Sequence, residues 1–248
     1  MIHYHGTPIG GTRQDVARFL MGRHALIPFS RQDDTGSVLD CCQSFVLDNG
    51  AFTHWKKGKG EIDFDAYWRW CHSLYQHPGF DWCLIPDIID GTEADNVDWV
   101  MRWVRIGGRA KGVPVWHLHE SLDWLEWLVA SFEMVAIGSS GAWANPGTRS
   151  WWKRMDEAMV VICDDKGRPK CKLHGLRMLD PEIFTRLPLA SADSTNAAVN
   201  SGSLARFGMY TPPTSAQRAA VIAERIEQHN SSAIYAQHSV NSDLFEVD

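Results

Sequence analysis

The chain has 248 residues, 44% of them hydrophobic and 22% charged, with a formal net charge of −6. That supports a sizeable core and excludes wholesale disorder. It also excludes a generally basic nucleic-acid coat, so a polyanionic partner must meet a local basic patch. No apolar run approaches the roughly 20 residues that span a bilayer, and Met1-Ile2-His3-Tyr4-His5 lacks the pattern of a secretory signal. Six cysteines without CxxC spacing read as reduced thiols, so a cytoplasmic protein with no membrane partner is expected.

Residues 2–5 read as a first strand, closed by Gly6-Thr7-Pro8. Thr12 is placed to cap a helix with Val16, Phe19 and Leu20 on its inner face. Residues 25–29 form a second strand and 30–40 a polar loop. Residues 44–48 form the third: Phe45, Val46 and Leu47 favour a strand, and Asn49-Gly50 stops it because both tolerate positive φ. Lys56, Lys57 and Lys59 follow, readable as a solvated loop or as a phosphate clamp. Asp63 or Asp65 starts a helix with Tyr67, Trp70, Cys71 and Leu74 at helical spacing.

Residues 80–86 are the fourth strand, ending at Asp87, and Thr92 caps a helix carrying Val97, Val100, Met101 and Val104. Residues 113–118 are the fifth strand and 121–131 a helix. Residues 132–137 are the sixth, running into the small-residue loop 138–147 and a helix at 148–161. Residues 172–176 and 189–192 complete the set, with a short helix at 181–186 between them. Eight strands interleaved with helices over about 190 residues predict an α/β protein, a closed (β/α)₈ barrel of TIM type. One domain is expected: the barrel over about 2–200, then a last helix at 215–229 and a polar tail.

In such a barrel the strand C-termini converge on one face, which gathers Asp48, Asp87, His117, Gly138, His174 and Asp193. Carboxylates crowded in one apolar cup split their pKa values, and a split pair suits displacement at a sugar carbon, one acid attacking and the other handling a proton. Each residue has a plainer reading. Asp48 and Asp87 serve equally as turn or helix caps, Asp193 as part of an N-cap cluster, and His117 as a hydrogen-bonded core histidine. Gly138-Ser139-Ser140-Gly141 is too short for a phosphate loop but admits a flat ligand. Cys163, Cys171 and His174 lack a fourth ligand for a metal. His3, His5, His117 and Asp193 imitate a metal-dependent amidohydrolase set, although Gly138 stands where that set needs a histidine. A catalytically silent barrel that binds nucleic acid is the remaining alternative.

The ordered pieces VLDNGAF, LIPD, VWHL, AIGSSG, LHGLRML and SADST, spread over residues 2–200, resemble the barrel of the queuine-type tRNA-guanine transglycosylases. They resemble more closely the compact phage and bacterial relatives that insert 7-deazaguanines into DNA. The resemblance implies Asp193 as nucleophile, Asp48 as proton-transfer acid in the base pocket, and Asp87 as purine recogniser. It implies that the Gly138 backbone lines that pocket, with Asn49, Phe52, Ser139 and His174 as further substrate-binding candidates. His117 stands where the family usually has glutamine. The tRNA enzymes carry a cysteine-rich zinc module after the nucleophile, whereas no cysteine follows Cys171 here, so DNA is the expected partner. The implied reaction replaces guanine with a 7-deazaguanine base as second substrate. It requires no metal or cofactor, and the target base leaves the duplex or lies in a single strand.

Overall fold

The computed structural model describes residues 1–7, 13–52 and 63–236. Its strands are β1 (Ile2–Gly6), β2 (His24–Pro28), β3 (Ser44–Asp48), β4 (Phe80–Leu84), β5 (Gly112–Val113), β6 (Val115–His117), β7 (Met134–Gly138), β8 (Lys172–Gly175) and β9 (Ser191–Ser194). The helices are α1 (Arg13–Leu20), α2 (Thr35–Leu39), α3 (Phe64–Leu74), α4 (Glu93–Arg105), α5 (Leu122–Ser131), α6 (Arg149–Ile162), α7 (Pro181–Phe184), α8 (Asn196–Asn200) and α9 (Ser215–Glu227). All strand pairings are parallel, in the order β5-β4-β3-β2-β1-β9-β8-β7-β6.

The two ends of that order are one segment interrupted at Pro114. The Val113 carbonyl accepts from Ile85 N on one side (2.9 Å), and the Pro114 carbonyl accepts from Ala136 N on the other (2.9 Å). Proline has no N–H to give, so the chain changes partner there without leaving a donor orphaned. Counted that way, eight strands close a (β/α)₈ barrel of TIM type, as the alternation of strand and helix signals predicts.

Side-chain alternation divides the apolar residues between two cores. Tyr4, Leu26, Val46, Trp82, Leu84, Val115 and Ala136 fill the barrel. Phe45, Leu47, Tyr67, Trp103, Leu125 and Trp151 pack between strands and helices. In β3, Phe45 and Leu47 therefore face the helices, while Val46 and Asp48 share the inward row. Helix starts follow their caps: Asp63 accepts from Ala66 N, Ser121 from Trp124 N, Thr148 from Trp151 N, and Thr92 and Thr214 form capping boxes.

Two expectations change. Residues 30–40 are not a loop: they form a 3₁₀ turn (Phe29–Asp34) and α2, held by a two-point Arg31–Asp34 pair (3.1 and 3.2 Å) and by buried Val38. On α4, Met101 is exposed, and its expected core place belongs to Trp103, whose indole N–H donates to the Gly108 carbonyl (2.9 Å). Added Cβ atoms at Gly108 and Gly112 would lie 2.2 and 2.3 Å from that indole nitrogen, so both glycines make room for the ring. Thr12 and the tail at 237–248 lie outside the described residues.

Candidate functional site

The site begins where β3 stops. Gly50 takes φ +79°, and the tight turn brings its N–H onto Asp48 Oδ1 (3.1 Å). Asn49, fully buried, points across to the next strand. Its amide donates to the Ile85 carbonyl (2.9 Å) and to Asp87 Oδ1 (2.7 Å), while its own oxygen accepts from Ala51 N (2.8 Å). Asp87 Oδ2 accepts from His117 Nε2 (2.8 Å). Glu120 accepts the His117 backbone N–H (2.8 Å) and is in turn held by Asn96 (2.7 Å). A chain of hydrogen bonds thus runs across the ends of β3, β4 and β6.

Gly138 ends β7 beneath the imidazole. A Cβ there would sit 2.9 Å from His117 Nδ1, so only glycine lets the ring lie flat on the strand. Ser139 accepts from the Trp151 indole (3.0 Å). On β9, Asp193 Oδ1 accepts from Arg177 N (2.9 Å) and from His174 Nε2 (3.3 Å). Among the described residues its Oδ2 meets no donor. The Asp193 carboxylate only accepts, so the bond between them uses an Nε2–H, and His174 Nδ1 meets the Ser191 hydroxyl on its other side (2.9 Å).

These side chains line one cavity of about 620 Å³: Asp48, Asn49, Phe52, Asp87, His117, Gly138, Ser139 and Asp193 all reach it. His174 does not. It is fully buried and meets the cavity only through its bond to Asp193 (3.3 Å). A larger hollow of about 850 Å³ opens at the opposite end of the barrel. There Asp81 is engaged by Tyr4 (2.7 Å) and Ser44, an arrangement that serves the barrel floor, where such folds place stability and not chemistry.

Burial dominates the electrostatics at Asp48. Burial pushes Asp48 up to about 7 from an ordinary 3.8; the Gly50 N–H opposes this, and the charges of Asp193 and Asp87 add to it. Burial alone would carry His117 down, but the Asp87 carboxylate on Nε2, with Glu120 and Asp90 nearby, takes it above 6.5. Glu120 is raised by burial, against the pull of His117 and Asn96.

Other sequence candidates are dispersed. His3 and His5 face the helix layer, bonded to His229 O (3.0 Å) and Glu227 (2.8 Å), and cannot join His117 and Asp193 around a metal. Cys163 and Cys171 belong to the outer core, where burial pushes both thiols up to about 11, while His174 points into the barrel. Lys56, Lys57 and Lys59 lie outside the described residues. The pattern misses Glu120, Arg31 and Arg177. Glu120 and Arg31 sit in stretches with no strand grammar, and Arg177 follows β8 inside LHGLRML without a periodic signal of its own.

No protein-family model and no curated protein matches the chain. Among solved structures, it is similar to a Coccidioides immitis protein described as a candidate fructose-1,6-biphosphate aldolase. The TM-score is 0.55, with 12% identity, over 92% of this chain and 90% of that one. At that identity the likeness speaks for the fold alone, and the fold it supports is the (β/α)₈ barrel already traced strand by strand.

Proposed function

We propose that the protein is a base-exchange glycosyltransferase that replaces guanine in DNA with a 7-deazaguanine through a covalent Asp193 intermediate. One observation carries the reading. Two carboxyl groups share a cavity of nucleoside size, one protonated near neutral pH and the other tethered by one oxygen with its second oxygen open. Asp193 Oδ2 attacks C1′ of the target nucleotide, the C1′–N9 bond breaks, and Asp48 delivers its proton to the departing guanine. The incoming 7-deazaguanine then gives its N9 proton to the Asp48 carboxylate. N9 displaces Asp193 from C1′, and two inversions yield retention. Asp87, held between Asn49 and His117, faces the cavity as an acceptor for the amino and imino edge of the base.

DNA is favoured over tRNA because the segment after Asp193 folds as α8 and α9. The latter is tied to the barrel through Glu227 and Arg23 (3.0 Å), in the stretch of chain after the nucleophile where the tRNA enzymes carry a cysteine-rich module. The test is exchange of labelled guanine into DNA and tRNA side by side, with a denaturing gel for the adduct. Wild type gives a DNA-linked band that the incoming base discharges. Asp193→Asn, which folds but lacks the attacking charge, gives no band and loses several orders of magnitude in exchange. Exchange into tRNA alone, or an adduct that survives Asp193→Asn, overturns the reading.

A further inference from the structure

Arg177 is the one non-glycine residue at positive φ among the described residues (φ 58°). An arginine in the left-handed region is strained, and such strain persists where the surroundings impose it, often at a functional site. Here that conformation does two things. It aims the Arg177 N–H at Asp193 Oδ1 (2.9 Å), and it sends the side chain across the cavity mouth onto the Phe52 ring, 4.1 Å from its centroid. Glycine would supply the first contact without strain; only a long cationic side chain supplies the second.

The guanidinium is exposed and meets no carboxylate among the described residues. Arg31, the other cation on the cavity wall among the described residues, is committed to Asp34 (3.1 Å). A phosphodiester approaching this mouth faces Asp48, Asp87 and Asp193 on a chain of net charge −6, so its entry needs a local cation within reach of the nucleophile.

We infer that Arg177, braced on Phe52, is a phosphate-binding, specificity-determining residue that grips a phosphodiester flanking the nucleotide whose C1′ faces Asp193. The inference rests on the base-exchange reading, and it makes the enzyme select polynucleotide over free nucleoside. The fork of N–H donors matches two phosphate oxygens, and the aromatic brace pre-orders it.

The experiment compares binding of the trinucleotide d(TGT) and of deoxyguanosine to wild type, Arg177→Gly and Arg177→Lys by titration calorimetry. Exchange of labelled guanine by the same preparations is measured alongside. Glycine accommodates the positive φ, so Arg177→Gly removes the guanidinium while keeping the N–H on Asp193. Wild type is expected to prefer the trinucleotide by roughly tenfold or more, the worth of a charge-assisted contact, and Arg177→Gly to lose that preference while its deoxyguanosine affinity stays within about twofold. Arg177→Lys retains part of it, and the salt slope of trinucleotide binding falls by about one in Arg177→Gly. A wild-type preference near one, a preference unchanged in Arg177→Gly, or binding of neither probe overturns the assignment. No exchange by wild type, with the preference present and lost in Arg177→Gly, removes the base-exchange reading and leaves the phosphate site standing.

Discussion

Asp48 and Asp193 carry the same functional group, and their surroundings give them different work. Asp48 has one N–H bond from Gly50 and two acidic neighbours; Asp193 has two donors on one oxygen. The Asp48 pKa of about 7 lies above its ordinary 3.8, so between those values the folded chain binds more protons than the unfolded one, and stability falls as pH rises through that window. Asp48→Asn has no such penalty. Its unfolding free energy exceeds that of wild type by about 2–3 kcal/mol at pH 8, less than the full shift because the carboxyl keeps a face toward the cavity, and the gain vanishes near pH 4. Urea melts at the two pH values read this directly; an equal gain at both would show that the Asp48 charge is not what the fold opposes. Under the proposed base exchange the same titration sets the first step, since the protonated form is the donor there: adduct formation in a single turnover is expected to decline as pH passes about 7.

At the scale of elements, the site is a set of strand ends tied to one another, and Asn49 is the tie. Removing its amide leaves the Ile85 carbonyl and Asp87 Oδ1 without their buried donor. Asn49→Ala should destabilise the protein by about 2–3 kcal/mol and, under the proposed base exchange, raise the KM for the base more than it lowers kcat, because Asp87 loses its orientation while Asp193 does not. A variant with wild-type stability and KM would make Asn49 a mere turn former. Much of this was legible from residue order. Phe45-Val46-Leu47-Asp48 fixes which face each side chain takes, and the Asn-Gly stop fixes where the acid lands. Parity cannot separate His117 from His119, two residues apart; what does is the end of β6 at His117, which leaves His119 in the next turn, bonded to Ser140 (2.7 Å). What stayed hidden depends on tertiary approach. His174 shares the inward parity but lies one layer too deep, a matter of strand stagger that no single strand reveals. The left-handed turn at Arg177 is imposed by Asp193 from another strand, and Met101 yields to Trp103 because Gly108 and Gly112 open space for an indole.

For the whole molecule, the split at Pro114 makes the barrel's closure unequal around its circumference. β1 pairs over three residues with β2 and over four with β9, whereas β5 offers β4 only two residues before the chain switches sides, as few as β8 shares with β9. The β4–β5 boundary is therefore a seam, and it should breathe before the β1 pairings do: the amides of Cys83 and Ile85, which bond Lys111 O and Val113 O, exchange with deuterium before those of β1. At the rim of that same seam stand Asp87, just past β4, and His117, at the end of β6. Their 2.8 Å bond is a clasp over that seam. His117→Ala opens it, and deuterium uptake should rise at Cys83 and Ile85 while β1 and β9 hold their protection; uniform acceleration would mean only that the fold as a whole is looser. If the proposed base exchange holds, a base seated on Asp87 and His117 keeps the clasp shut, and occupancy of the cavity becomes readable at the Cys83 and Ile85 amides as a slowing of exchange along the seam.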